Sequence, residues 1–295
     1  MTTLRMIQVD VFSERPLAGN PLAVFPEAEG LTDEQMQQIA AEMNLSETAF
    51  VTPPAAGGSA RVRIFTPGTE LPFAGHPSVG TACSLVNLGM VVAQEPVTDV
   101  VLELNVGLTP VDVTVRAGQA VAGVVHQGPP TFGEQIPRAE AARVLRLQPD
   151  DLDQKLTPTV VGTGLNYAII PLRDTGALAR AWFDIDLLPE FQRRYAELYP
   201  CALTGDEEPF VEARCFAPAA GIVEDPATGS AAGPLAAYLA RAGLLAPGAA
   251  RVLAQGRHVR RPSRLTISVS FEGTRMTDVL VGGGVVPVMT GELTI

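Results

Sequence analysis

The amino-acid sequence predicts an α+β fold built from two structurally similar domains, on three observations. Segments with strand character outnumber helical ones and are joined by short links, which argues against a doubly wound parallel sheet. The 295 residues reach the size, roughly 250–300 residues, at which single cores stop growing and chains divide. Third, a strand–loop–helix pattern recurs about half a chain length apart. "RIFTP" at Arg63–Pro67 corresponds to "RCFAP" at Arg214–Pro218, an offset of 151 residues. His76-Pro77-x-x-Gly80-Thr81-Ala82 then corresponds to Asp225-Pro226-x-x-Gly229-Ser230-Ala231, an offset of 149.

In chain order, "MIQVDVF" and "PLAVF" read as strands, and "LTDEQMQQIAAEMN" carries apolar residues at helical spacing with Thr32 or Asp33 as cap. "TAFVTP" and "ARVRIFTP" follow as strands, then a helix after His76, then "VVLELNVG", "VDVTVRA" and "AVAGVVHQ". In the second half "PRAEAARVLRL" is a helix, "NYAIIPL" and "EARCFAP" are strands, and a helix follows Asp225. The strands "LTISVSFEG", "TDVLVGGG" and "VVPVMTGELTI" close the chain. The expected domains are 1–124, with 284–295 as a candidate completion, and 125–283.

Composition narrows the function classes. A net charge of −11 argues against nucleic acid or an anionic membrane as partner, since both call for a basic face. The cluster "RHVRRPSR" (257–264) is short and lacks interleaved aromatics, so it reads as an ion-pairing surface or a solvated strand end. No segment reads as a signal sequence or a membrane span. Cys83, Cys201 and Cys215 are odd in number and widely spaced, which suggests small buried hydrophobes in a reducing cytoplasm. Lys155, the single lysine, sits in a polar turn and is unsuited to Schiff-base chemistry. His76, His126 and His258 are too scattered for a metal site, and "VGGGVVP" has the wrong spacing for dinucleotide binding. The expectation is chemistry with no cofactor and no metal.

The repeated turn supplies the candidate site. Proline at a first helical position loses nothing, and the residue before it is pushed extended, as an N-cap should be. His76 and Asp225 are therefore expected as the capping residues at two helix mouths, with Gly80 and Gly229 allowing close approach of a ligand or a strand. Unpaired N–H groups at such mouths favour anions. They would let an acidic protein hold a small carboxylate-bearing molecule between its two halves. The helix start should bias His76 toward neutral imidazole and Asp225 toward carboxylate. Glu47, in "NLSETAFV" at an element junction, is the candidate base. Asn20, in "LAGNPLAVF", is a candidate substrate contact.

Together "QVDVF…GNPLAVF", "NLSETAFV", "RIFTPGTELPFAGHPSVGTA", "EDPATGSAAGPLAAYL" and "AQGRHVRRPS" resemble the PhzF-like phenazine-biosynthesis proteins, relatives of diaminopimelate epimerase. The resemblance runs through nearly the whole chain. It implies two similar domains, each a mixed sheet wrapped around a central helix, with the active site in the cleft between them. It also implies cofactor-free proton transfer and a homodimer. The catalytic roles fall on Glu47, His76 and Asp225, and substrate contacts fall on Asn20, Gly75, Gly229 and Ser230. Two positions depart from the family pattern, Ser78 in place of Thr and Arg260 in place of Gly. The paired cysteines of the epimerase relatives are missing from both helix mouths, which favours a single carboxylate base over a thiol pair. Two other readings stand beside this one. One is a non-catalytic small-acid binding protein using the same cleft. The other is a serine hydrolase built on Ser230 and His76, which the lack of a G-x-S-x-G elbow disfavours.

Overall fold

The computed structural model describes residues 2–218 and 221–295. The chain forms two compact units, Met1–His126 with Gly282–Ile295, and Gln127–Val281. Both are mixed in strand direction and dominated by sheet.

The first unit begins with β1 (Thr3–Val11) and β2 (Asn20–Phe25), followed by helix α1 (Asp33–Met43) and β3 (Glu47–Thr52). Thr32 caps α1 in a reciprocal capping box with Gln35, and Asn44 ends it in the left-handed conformation. Next come β4 (Ala60–Phe65), the short β5 (Glu70–Leu71) and helix α2 (Gly75–Asn87). The antiparallel run β6 (Val97–Leu104), β7 (Gly107–Arg116) and β8 (Gln119–His126) completes this part of the chain. Helix α2 is buried from Gly75 to Val86 and packs on β1, β2, β7 and β8. Gly80 is the reason it can lie so close. A Cβ there would sit 2.7 Å from both Leu22 Cδ2 and Val11 Cγ2, so this glycine serves strand approach rather than ligand approach.

The second unit opens with β9 (Thr131–Gln135), α3 (Arg138–Val144), β10 (Thr159–Gly162) and β11 (Asn166–Pro171). Helices α4 (Thr175–Arg180) and α5 (Leu188–Arg194) lead to β12 (Glu197–Leu203), which pairs in parallel with β11. The segment read as one strand, "EARCFAP", is two: β13 (Val211–Ala213) and β14 (Cys215–Ala217), interrupted at Arg214. There the backbone N–H bonds to the Pro200 carbonyl while the guanidinium turns into the core. After β15 (Ile222–Asp225) comes helix α6 (Gly229–Arg241), which packs on β10, β11 and a later strand, β17 (Ser263–Glu272). Between these, β16 (Arg251–Gln255) pairs with β17.

The two closing segments of the sequence form one strand, β18 (Arg275–Thr294). Its stretch from Val285 to Thr294 pairs antiparallel with β1. The glycines in its middle mark crowding, not a break: Cβ atoms would lie 2.7 Å from the Gly123 carbonyl at Gly282 and 2.6 Å from that of Ser13 at Gly284. All three cysteines are buried and outside any disulfide, and burial pushes Cys83 and Cys201 up to about 12. In the basic cluster Arg257 pairs with Glu212 at 2.5 Å and Arg264 pairs with Glu208, so two of its arginines are committed to ion pairs. Arg260, where the family pattern has glycine, adopts φ +60°, a left-handed conformation that glycine enters without strain. Lys155 is exposed in its turn, its backbone N–H bonded to the Asp153 carboxylate at 2.7 Å.

Candidate active site

Neither helix begins where its proline suggests. The cap of α2 is Ala74, extended at φ −150°, so Gly75 and His76 are its first two residues and Pro77 its third. The Ser78 hydroxyl draws the start forward by donating to the Ala74 carbonyl at 2.7 Å. Pro77 still sacrifices no bond, because the third N–H of a helix has no intrahelical acceptor either. In the second unit the cap is Thr228, Pro226 precedes the helix, and Asp225 is the last residue of β15. His76 and Asp225 are therefore not N-caps. No side chain caps either helix, which leaves the first-turn N–H groups at Gly75 and His76, and at Gly229 and Ser230, as the natural anion positions.

The first unit assembles Asn20, Glu47, Gly75 and His76. Parallel pairing of β2 with β3 sets Leu22 opposite Glu47, so Asn20 and Glu47 both stand at the starting end of that pair. The mouth of α2 brings His76 to both. Its Nδ1 lies 3.2 Å from Asn20 Nδ2, and its Nε2 lies 3.3 Å from Glu47 Oε2. With the Asn20 amide donating to Nδ1, the imidazole proton resides on Nε2, facing the carboxylate. His76 is 3% exposed, and burial lowers its pKa to about 3. The imidazole is neutral as the sequence suggests, and desolvation is the cause. Glu47 keeps 12% of its side-chain exposure, enough to meet a small molecule while most of it is shielded.

The second unit assembles Asp225, Gly229 and Ser230. Asp225 Oδ2 accepts the Thr228 hydroxyl at 2.6 Å. Ser230 Oγ is hydrogen-bonded to the Tyr167 hydroxyl at 2.7 Å, so its partner is a phenol, not the histidine a serine hydrolase needs. Gln127 donates to the Gly229 carbonyl at 2.9 Å and accepts the Thr163 hydroxyl at 2.6 Å. Gly233 makes room for this side chain, since a Cβ there would lie 2.0 Å from Gln127 Oε1. Thr228, Tyr167, Tyr199, Gln127 and Gln255 escape the sequence reading. Only Thr228 and Gln255, inside "DPATGS" and "AQGRH", fall in motifs that could have pointed to them. Among the described residues no group of three or more His, Cys, Asp or Glu side chains is placed to hold a metal ion. No helix among them is long and apolar enough to cross a membrane.

Comparison with known proteins places this geometry in context. A family model described as phenazine biosynthesis-like protein matches residues 9–291. The trans-2,3-dihydro-3-hydroxyanthranilate isomerase of Pseudomonas aeruginosa is 37% identical over 279 residues, covering 95% of each chain. A solved structure from Pseudomonas aeruginosa, described as a predicted epimerase, is 38% identical with a TM-score of 0.86 over 99% of both chains. A probable proline racemase from Agrobacterium radiobacter superposes with a TM-score of 0.70 over 99% of this chain and 93% of its own. At 16% identity that likeness speaks for the fold alone.

Proposed function

The chain belongs to the phenazine biosynthesis-like family and to the isomerase class of its relatives, and from that premise we propose that it moves a proton on a small carboxylate-bearing substrate. That substrate is cyclic or amino-acid-like, and Glu47 acts as the base. One observation carries this reading: a carboxylate of limited exposure, 3.3 Å from a buried, uncharged histidine at the mouth of a helix with no side-chain cap.

An uncharged imidazole matters for the chemistry. An imidazolium would hold Glu47 as an ion pair and weaken it as a base. The neutral ring presents an N–H that orients the carboxylate without neutralising it. The proton leaves an activated carbon for Glu47 Oε, and the electron pair moves into the conjugated frame of the substrate. Glu47 then delivers a proton, either the same one or one exchanged with solvent, to a different carbon. The Gly75 and His76 N–H groups receive the developing negative charge, and a preorganised donor of this kind is worth roughly 3–4 kcal/mol in other enzymes. No cofactor enters these steps.

Two duplicated halves, each a mixed sheet around its long buried helix, act on one substrate, with Asp225, Gly229 and Ser230 contributing from the second half. The resemblance further implies a homodimer, which sedimentation velocity checks directly. To test the function, the protein is incubated in D2O with trans-2,3-dihydro-3-hydroxyanthranilate and a panel of small cyclic amino acids. Proton nuclear magnetic resonance (NMR) then follows each carbon-bound hydrogen. Enzyme-dependent loss of one C–H signal is expected for at least one compound. A full set of unchanged spectra would overturn the reading in favour of mere binding.

A further inference from the structure

Asp225 stands at the end of a hydrogen-bond chain that reaches into the core of the second unit. The Tyr199 hydroxyl donates to Gln255 Oε1 at 2.8 Å, and the Thr228 backbone N–H shares that oxygen at 3.3 Å. Gln255 Nε2 donates to the Asp225 carbonyl at 2.8 Å and to the Thr228 hydroxyl oxygen at 3.0 Å. That hydroxyl in turn donates to Asp225 Oδ2 at 2.6 Å.

Every direction in this chain is fixed. A backbone carbonyl can only accept, so the Gln255 nitrogen must face Asp225, and its oxygen must face Tyr199. The Thr228 oxygen already accepts from that nitrogen, which leaves its single proton for the carboxylate. Both hydrogens and both acceptor sites of the Gln255 amide are used. The side chain is 2% exposed and Tyr199 is fully buried, with its phenol held well above its ordinary pKa by burial. Tyr199 therefore stays a donor. Gly256 lets the end of β16 press this close: its φ is +81°, and a Cβ there would lie 2.4 Å from the Pro226 carbonyl. Thr228 caps α6 in position only, with no bond from its side chain to the helix, so its one hydroxyl proton is given to Asp225.

We propose that Thr228 and Gln255 are positioning residues that fix Asp225 in one rotamer and keep it an ionised acceptor. The proposal rests on the reading that Asp225 takes part in the reaction. A hydrogen bond donated to the charged form of a carboxylate favours that form. Other titratable groups around Asp225 are Tyr199 on β12, Cys215 opposite it on β14, and the neighbouring Glu224, which is spent on Arg214.

The test uses the full chain with 13C-labelled aspartate carboxyl groups, the Asp225 signal being assigned by its loss in Asp225→Asn. Thr228→Val keeps the shape and removes the hydroxyl, so the Asp225 titration midpoint should rise by about one pH unit, a tenfold change in proton affinity. Thr228→Ser should restore it, and Tyr199→Phe should move it the same way by less. An unmoved midpoint in Thr228→Val overturns the proposal. Should that variant fail to fold, an unmoved midpoint in Tyr199→Phe does so instead. Asp225→Asn also separates the two claims. If it keeps full deuterium exchange while Thr228→Val still moves the midpoint, the chain of bonds is real and Asp225 is not in the reaction. If it loses exchange while the midpoint stays put, the site reading stands and this proposal falls.

Discussion

Arg63 and Arg214 open the same short pattern, Arg-x-Phe-x-Pro, and each unit puts its arginine to the same use in different surroundings. In the first unit Arg63 Nε and Nη2 grip Glu70 Oε1 and Oε2 at 2.8 and 2.7 Å, and the guanidinium lies 5.1 Å from the Phe65 ring centroid. In the second, the same nitrogens of Arg214 grip the same oxygens of Glu224 at 3.0 and 2.7 Å, with the guanidinium 4.7 Å from the Phe216 ring. The remaining nitrogen differs. In Arg63 it reaches the exposed Asp33 at 2.5 Å, and in Arg214 it donates to the backbone carbonyl of Ala181 at 2.6 Å. The Arg63 side chain keeps 20% of its exposure, whereas Arg214 and Glu224 keep 4% and 3%. The repeat therefore marks a local device, a bidentate fork that ties together two strands just ahead of the buried helix. Burial decides how much that device matters.

Mutation tests how far burial sets the weight of the two forks. Arg214→Met strands Glu224 in the core and should destabilise the protein by about 3–5 kcal/mol, measured by urea unfolding. Arg63→Met leaves Glu70 near water, and the same measurement should show about 1 kcal/mol or less. Equal losses would mean that burial does not set the weight of the fork.

A pH series sharpens the same point at His76. Its folded pKa is lowered to about 3 from an ordinary 6.5. As pH falls below 6.5 the unfolded chain takes up a proton that the folded chain refuses. Stability is therefore present above that pH and is lost progressively toward pH 3, by an amount on the order of a few kcal/mol. His76→Gln should flatten this slope. An equally steep slope in the variant would show that His76 is not its source. At Arg63 the smallest effect is expected: Glu70, held below the ordinary carboxylate range by its fork with Arg63, should add only a shallow loss of stability in acid. Arg63→Met should remove it.

Much of the strand and helix order was legible because it depends on local pattern. Alternating apolar residues marked β6 to β8, and the Thr32 cap marked α1. The motif residues Asn20, Glu47 and His76 could be singled out because small turns and polar side chains interrupt apolar runs there. The mouth of α2 was misjudged because the proline rule competes with a hydroxyl-to-carbonyl bond at Ser78 and Ala74, invisible without coordinates. Aligned on their prolines the two motifs differ by 149 residues, yet the helices begin at Gly75 and Gly229, five positions further apart. Thr228 and Gln255 stand 27 residues apart, with no period linking them, so only the fold reveals their bond. β18 was divided in two at its run of three glycines, of which Gly282 and Gly284 answer to backbone crowding.

Glu47 is proposed to take the proton, and that role is open to the most direct test. Glu47→Gln is nearly isosteric and leaves His76 in place, so circular dichroism and thermal unfolding should stay close to those of the natural chain. With a substrate that the natural chain labels in D2O, exchange by the variant should fall by about 10²–10⁴-fold. A correctly folded Glu47→Gln protein that labels substrate at the natural rate would contradict it.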